Sequence, residues 1–209
     1  MVTRVKICGF TQPADAVAAA QLGVDAVGLV FYAASPRVVN IRQAQAIQRV
    51  LPPFVTVVGL FVDAGPDFIR SVLESVPLDV LQFHGDEKAA ECEGYGRPYI
   101  KAIRMRPGED ILKVSENYAG AQGLLLDTYL PHVPGGTGQP FDWNQVPVGI
   151  KKPLILAGGL NPANVVAAIL SVNPYGVDVS GGVESIQSKK DHDLMRRFMT
   201  AVQSIQVTS

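Results

Sequence analysis

The apolar positions of this chain fall in short blocks, separated by stretches whose apolar residues recur at helical spacing. Blocks at residues 3–8, 25–31, 54–62, 78–82, 99–104, 123–127, 154–157 and 176–179 are of strand length. Several of them, 57–62 and 124–126 among them, carry no polar side chain. Parallel strands buried on both faces read this way. Helical segments are predicted at 13–22, 40–50, 66–75, from about 87, at 109–117, after Asn161 and Pro162, and at 190–203. Gly23 ends the first of these, and Asn40 is placed to cap the second. Strand–helix alternation with short connections predicts βαβ units and a parallel sheet. Eight such units, with no second block after them, predict a single-domain α/β (β/α)8 barrel over residues 1–209; the count by itself leaves a doubly wound sheet open. The stretch 128–140 departs from the alternation. It is rich in Gly and Pro and has no helical pattern, and a loop of that length inside a compact domain is often functional.

Composition narrows the class. The chain has 209 residues, 47% of them apolar, which suffices for one substantial core near the lower size limit of such a barrel. A formal net charge of -1 argues against wholesale nucleic-acid binding. The apolar runs are far shorter than a membrane span, and the first residues lack the apolar stretch of a signal peptide. The expectation is a soluble, cytoplasmic protein with no membrane partner. There are two cysteines, Cys8 and Cys92, with no zinc-like spacing and no need of a disulfide in a chain this long. Cys92, in a polar stretch, reads as structural or exposed.

In a (β/α)8 barrel the active site lies at the C-terminal ends of the strands. Cys8 ends the first strand, Arg37 follows the second, Asp63 ends the third, His84 the fourth, Arg104 the fifth and Asp127 the sixth. Gly158 and Gly159 follow the seventh strand; Ser180, Gly181 and Gly182 follow the eighth. Glycine lets backbone N–H groups approach a ligand, and turns after the last two strands form the recurring phosphate site of these barrels. Each residue also has a plainer reading. The glycines can simply make tight turns, and Cys8 can be a small buried hydrophobe. Asp127 can tie a loop, Arg37 can form a rim salt bridge, and His84 can be a satisfied structural histidine. Lys6, two residues before Cys8, points to the same side of its strand. Asp63 and Asp178 are placed to orient residues at the barrel mouth.

Taken together, these residues resemble the phosphoribosylanthranilate isomerase family. The resemblance is carried by Lys6-Ile7-Cys8-Gly9 with Thr11, Ser35-Pro36-Arg37, Gln82-Phe83-His84-Gly85 and Leu126-Asp127. It continues in Gly135-Gly136-Thr137-Gly138 with Phe141-Asp142-Trp143, in Leu156-Ala157-Gly158-Gly159-Leu160, and in Asp178-Val179-Ser180-Gly181-Gly182-Val183-Glu184. Two positions depart from the family pattern: Gly181 stands where a second serine is usual, and Phe83 where leucine is usual. A lost hydroxyl costs about 1 kcal/mol, and the Gly181 backbone N–H remains.

The resemblance implies an Amadori rearrangement of N-(5-phosphoribosyl)anthranilate to 1-(2-carboxyphenylamino)-1-deoxyribulose 5-phosphate, a step of tryptophan biosynthesis. It implies Cys8 as general base, Asp127 as general acid and Arg37 on the anthranilate carboxylate. The backbone N–H groups of Gly158, Gly159, Ser180 and Gly181 are the candidates for phosphate, with His84 and Asp178 also at the substrate. The reaction involves no redox step or hydrolysis, so no cofactor or metal is expected, and the only partner expected is the small-molecule substrate of a monomer or homodimer. The stretch 128–140 is expected to cover the reacting carbons. Another phosphate-binding barrel, such as an epimerase, would normally need several metal-binding His and Asp residues at strand ends. This chain has three histidines, two of them outside the strands. A binding module without turnover is a further alternative, one that would fit an inert Cys8.

Overall fold

The structure is a computed structural model, and it describes residues 2–128 and 141–206. Eight parallel strands close into a barrel in chain order. They are β1 (Arg4–Cys8), β2 (Ala26–Val30), β3 (Thr56–Phe61), β4 (Val80–Phe83), β5 (Tyr99–Met105), β6 (Gly123–Thr128), β7 (Leu154–Leu156) and β8 (Gly176–Val179). Among the described residues six α-helices accompany them: α1 (Pro13–Gln21), α2 (Ile41–Arg49), α3 (Pro66–Ser75), α4 (Ile111–Asn117), α5 (Val165–Val172) and α6 (His192–Gln206). The barrel read from the apolar blocks is therefore the fold, and the doubly wound alternative is excluded. Every strand block predicted from the sequence overlaps a strand, with ends differing by a residue or two.

Local chemistry explains the helix starts. Asn40 accepts from the Gln43 backbone N–H (2.9 Å) while Gln43 Oε1 accepts from the Asn40 N–H (3.0 Å), a reciprocal cap on α2. Pro13 and Pro66 open α1 and α3, where a missing N–H costs nothing. The helix predicted from about residue 87 does not form. Only a 3-10 turn, Ala89–Glu91, stands there. The reason lies in the sequence around it: Gly94 and Gly96 take positive φ, and Pro98 follows. The Glu87 carboxylate, meanwhile, binds the loop backbone at Asp63 and Gly85 rather than facing solvent. A second difference is a small antiparallel hairpin of β9 (Glu184–Ile186) and β10 (Lys189–Lys190), where a helix start was expected at 190.

The main core lies between barrel and helices, with Phe10, Phe61, Phe83 and Phe198 fully buried. Fully burying a side chain of this size is worth about 1.5–3 kcal/mol. Inside the barrel a polar layer replaces apolar packing at the C-terminal end, made of Lys6, Gln82, His84, Asp127 and Asp178, all buried. Register places these groups. Lys6 pairs with Asp178 across β1 and β8, Cys8 with Gly28 across β1 and β2, and Arg104 with Asp127 across β5 and β6. No helix among the described residues is long and apolar enough to cross a membrane.

Candidate active site

A cavity of about 290 Å3 opens at the C-terminal mouth of the barrel. Cys8, Arg37, His84, Asp127, Gly158, Gly159, Asp178, Ser180 and Gly181 all line it. All nine site residues read from the sequence thus share one space. Val30, Tyr32, Leu60 and Val62 supply an apolar wall beside Cys8. Asp63 stands apart. It adopts a positive φ and accepts from the Asp86 N–H at 2.7 Å, a loop-tying role. Arg104 donates to the His84 carbonyl at 3.0 Å and so supports the strand end. The stretch expected to cover the reacting carbons falls, beyond Thr128, outside the described residues.

Lys6 points into the barrel, as the two-residue spacing from Cys8 allows. Its Nζ is 2.9 Å from Asp178 Oδ2, with both side chains under a tenth exposed. Burial opposes the Lys6 charge, but Asp178 and Cys8 outweigh it and hold the ammonium above its ordinary value. Burial pushes the Cys8 thiol up; Lys6 pulls it down, Asp178 raises it further, and Lys190 again lowers it. The cysteine therefore has a cation at hand, and its thiolate would gain directly from it. The second oxygen of Asp178, Oδ1, is buried with no hydrogen-bond partner among the described residues.

Across the mouth, His84 Nε2 lies 2.9 Å from Asp127 Oδ2, and Gln82 Nε2 lies 2.9 Å from His84 Nδ1. With the Gln82 amide in this orientation, Nδ1 accepts and Nε2 carries the proton toward Asp127. Asp127 Oδ1 accepts from the Thr128 N–H at 2.8 Å. The histidine is thus neither a spectator nor free in the cavity; it orients the carboxyl.

The two glycine turns have steric reasons. Gly158 has φ +80°, and a Cβ there would run into Thr128 and come within 3.1 Å of Asp127 Oδ1. Asn164 Nδ2 donates to the Gly159 carbonyl at 3.0 Å and fixes the turn ahead of α5. A Cβ on Gly182 would collide with the Leu160 carbonyl. The Ser180 hydroxyl donates to the Cys8 carbonyl at 2.9 Å, so its proton is already engaged.

Arg37 lies over Gly9, whose φ is +83°; a Cβ there would collide with Arg37 Cδ. Its Nε and Nη2 each lie 2.7 Å from the two oxygens of Glu184. Glu184 Oε1 also accepts from Lys190 Nζ at 2.8 Å, and Lys190 donates to the carbonyls of Cys8 (2.6 Å) and Ser180 (3.1 Å). Burial disfavours the Glu184 charge, yet Arg37 and Lys190 outweigh it and keep the carboxyl below its usual range. Glu184, Lys190 and Gln82 were not singled out as functional in the sequence. Gln82 carried a signal, since it sits two residues before His84 on the same strand face.

A (β/α)8 barrel with paired late-strand glycine turns and a thiol and a carboxyl on one cavity defines an acid–base barrel enzyme of phosphate-bearing substrates. The match to the model of the N-(5'-phosphoribosyl)anthranilate isomerase family spans residues 5–201. The chain belongs to that family. It is 59% identical to the N-(5'-phosphoribosyl)anthranilate isomerase of Pseudomonas paraeruginosa, covering 96% of this chain and 95% of the relative. It is 58% identical to that of Azotobacter vinelandii, covering 96% and 98%. The crystal structure of the Thermotoga maritima phosphoribosyl anthranilate isomerase superposes with a TM-score of 0.89 at 39% identity, covering 97% of this chain and 99% of that one. A phosphoribosyl anthranilate isomerase in complex with reduced 1-(o-carboxyphenylamino)-1-deoxyribulose 5-phosphate superposes with a TM-score of 0.84 at 38% identity, with the same coverage.

Proposed function

We propose that this protein catalyses the Amadori rearrangement of N-(5-phosphoribosyl)anthranilate to 1-(2-carboxyphenylamino)-1-deoxyribulose 5-phosphate in tryptophan biosynthesis, as a cytoplasmic enzyme. The observation that carries the reading is the convergence of Cys8, Asp127, Arg37 and both glycine turns on one cavity.

The steps follow from the groups present. Asp127 gives a proton to the furanose ring oxygen as the C1–O bond breaks, and the nitrogen lone pair forms C1=N. The His84 Nε2–H on Oδ2 and the Thr128 N–H on Oδ1 steady the carboxylate left behind. The iminium so formed acidifies C2–H and brings positive charge toward Cys8, which with Lys6 favours the thiolate. The thiolate takes the C2 proton, and the electron pair moves into C1=C2 to give the enolamine. The Cys8 thiol returns its proton at C1 and the C2 hydroxyl gives its proton back to the Asp127 carboxylate, which completes the ketone and restores both groups. General acid and base groups each supply about 10²–10⁴-fold. Arg37 holds the anthranilate carboxylate, and the backbone N–H groups of Gly158, Gly159, Ser180 and Gly181 hold the phosphate. Asp178 Oδ1 accepts a ribose hydroxyl.

The test is turnover of phosphoribosylanthranilate generated in situ, followed by loss of its fluorescence. Wild type should act rapidly, while Cys8→Ala and Asp127→Asn should retain substrate binding and lose turnover by about 10²-fold or more. A folded wild-type protein without turnover would remove the activity. Near-normal turnover in either variant would remove that residue's assignment.

A further inference from the structure

We infer that Glu184 is the positioning residue that aims Arg37: it occupies the side-on edge of the guanidinium and so turns the end-on edge, Nη1 with Nη2, toward the substrate carboxylate. The inference rests on Arg37 being the carboxylate clamp. A guanidinium has five N–H groups in a planar fork, enough to serve two carboxylates on two edges. Glu184 takes Nε and Nη2 at 2.7 Å each, which fixes the plane as well as the position. Held only by its own flexible stem, Arg37 would sample many rotamers and lose that freedom on binding.

Glu184 is itself anchored. Lys190 bridges it to the Cys8 and Ser180 carbonyls, and the Ser188 N–H donates to Glu184 Oε2 at 3.2 Å. Ser188 also donates its hydroxyl to the Pro36 carbonyl at 2.6 Å, the residue just before Arg37. The β9–β10 hairpin therefore grips both the carrier loop and the side chain of Arg37. With Glu184 4% exposed in its side chain and Arg37 12%, the ion pair is shielded from the screening that makes surface pairs weak. The hairpin, unforeseen in the sequence, has a purpose in this arrangement.

The experiment is steady-state kinetics of Glu184→Gln, Arg37→Ala and the double variant. Competitive inhibition by anthranilate, which has the carboxylate and no phosphate, and by inorganic phosphate is measured alongside. Glu184→Gln should raise KM about tenfold, the scale of one charge-assisted hydrogen bond, with kcat nearly unchanged. Anthranilate inhibition should weaken in parallel, while phosphate inhibition stays as in wild type and reports an intact fold. In the Arg37→Ala background the second change should add nothing to KM. Glu184→Asp keeps the charge beside Lys190 but is too short to hold the fork, and should show the same split. Wild-type KM in both Glu184 variants, with Arg37→Ala impaired, overturns the inference. So does an equal KM penalty with and without Arg37. A KM unmoved by Arg37→Ala overturns the clamp reading, and the inference with it.

Discussion

The sulfur of Cys8 occupies the space that a side chain on Gly28 would need: a Cβ built there lies 2.5 Å from Sγ and 3.0 Å from the Cys8 Cα. The two residues are register partners across β1 and β2. Gly28→Ala should therefore fold, because the rest of β2 is unchanged, yet push the thiol away from C2. Displacement of a reacting group by about 1 Å can cost 10²-fold, and the loss should fall on kcat. A crystal structure with Sγ unmoved and normal turnover would contradict this.

Lys6 is the largest influence lowering the Cys8 thiol, against burial that raises it. A base must be deprotonated to work, so kcat/KM should climb as pH rises through the thiol value. Removing the ammonium in Lys6→Met takes away a stabiliser of the thiolate, so that climb should move to higher pH and activity near neutrality should fall. The kcat/KM profile from about pH 6 to about pH 10 reads this directly. A climb that stays in place would mean that Lys6 serves only Asp178.

The two cysteines should react differently. Both are buried, but Cys8 lines the cavity, whereas Cys92 donates to the Lys88 carbonyl and is pushed up to about 12 chiefly by burial. A small neutral alkylating reagent should label Cys8 in the native protein and abolish turnover, and anthranilate plus phosphate should protect it. Peptide mass spectrometry locates the label; prior modification of Cys92 without unfolding would refute the assignment.

Lys101 and Glu87 form a buried pair at 2.8 Å, with side chains 3% and 4% exposed. Lys101 also donates to the Gly85 carbonyl at 2.7 Å, which ties the loop after His84. Lys101→Met strands a buried carboxylate, at a cost of about 3–5 kcal/mol. Calorimetry should show a Tm lowered by on the order of 10 °C. A change within about 1 kcal/mol would show that the buried pair contributes little to stability.

The barrel was legible because eight apolar blocks, alternating with helical segments, had to be buried on both faces. The rim was legible too, since Cys8, His84 and Asp127 stand at or beside the C-terminal ends of their strands, where the mouth of such a barrel lies. What the pattern could not give was pairing. That Lys6 meets Asp178 depends on closure of β1 against β8, which no local window contains. Glu184 and Lys190 were missed for the same reason, as only the hairpin brings them together. The helix expected from 87 does not form because Gly94 and Gly96, at positive φ, and Pro98 break it.

The carbonyl of Cys8 is held by Lys190, 182 residues further along the chain. During synthesis, β1 emerges first and pairs with β2 on one edge, while its other edge stays open until β8 has left the ribosome. The surroundings of the sulfur, with Asp178 on Lys6 and the Ser180 hydroxyl on the Cys8 carbonyl, are completed only by closure of that long loop, among the slowest contacts a chain can make. The site is therefore finished by the last strand and the hairpin after it, not by the strand that carries the sulfur.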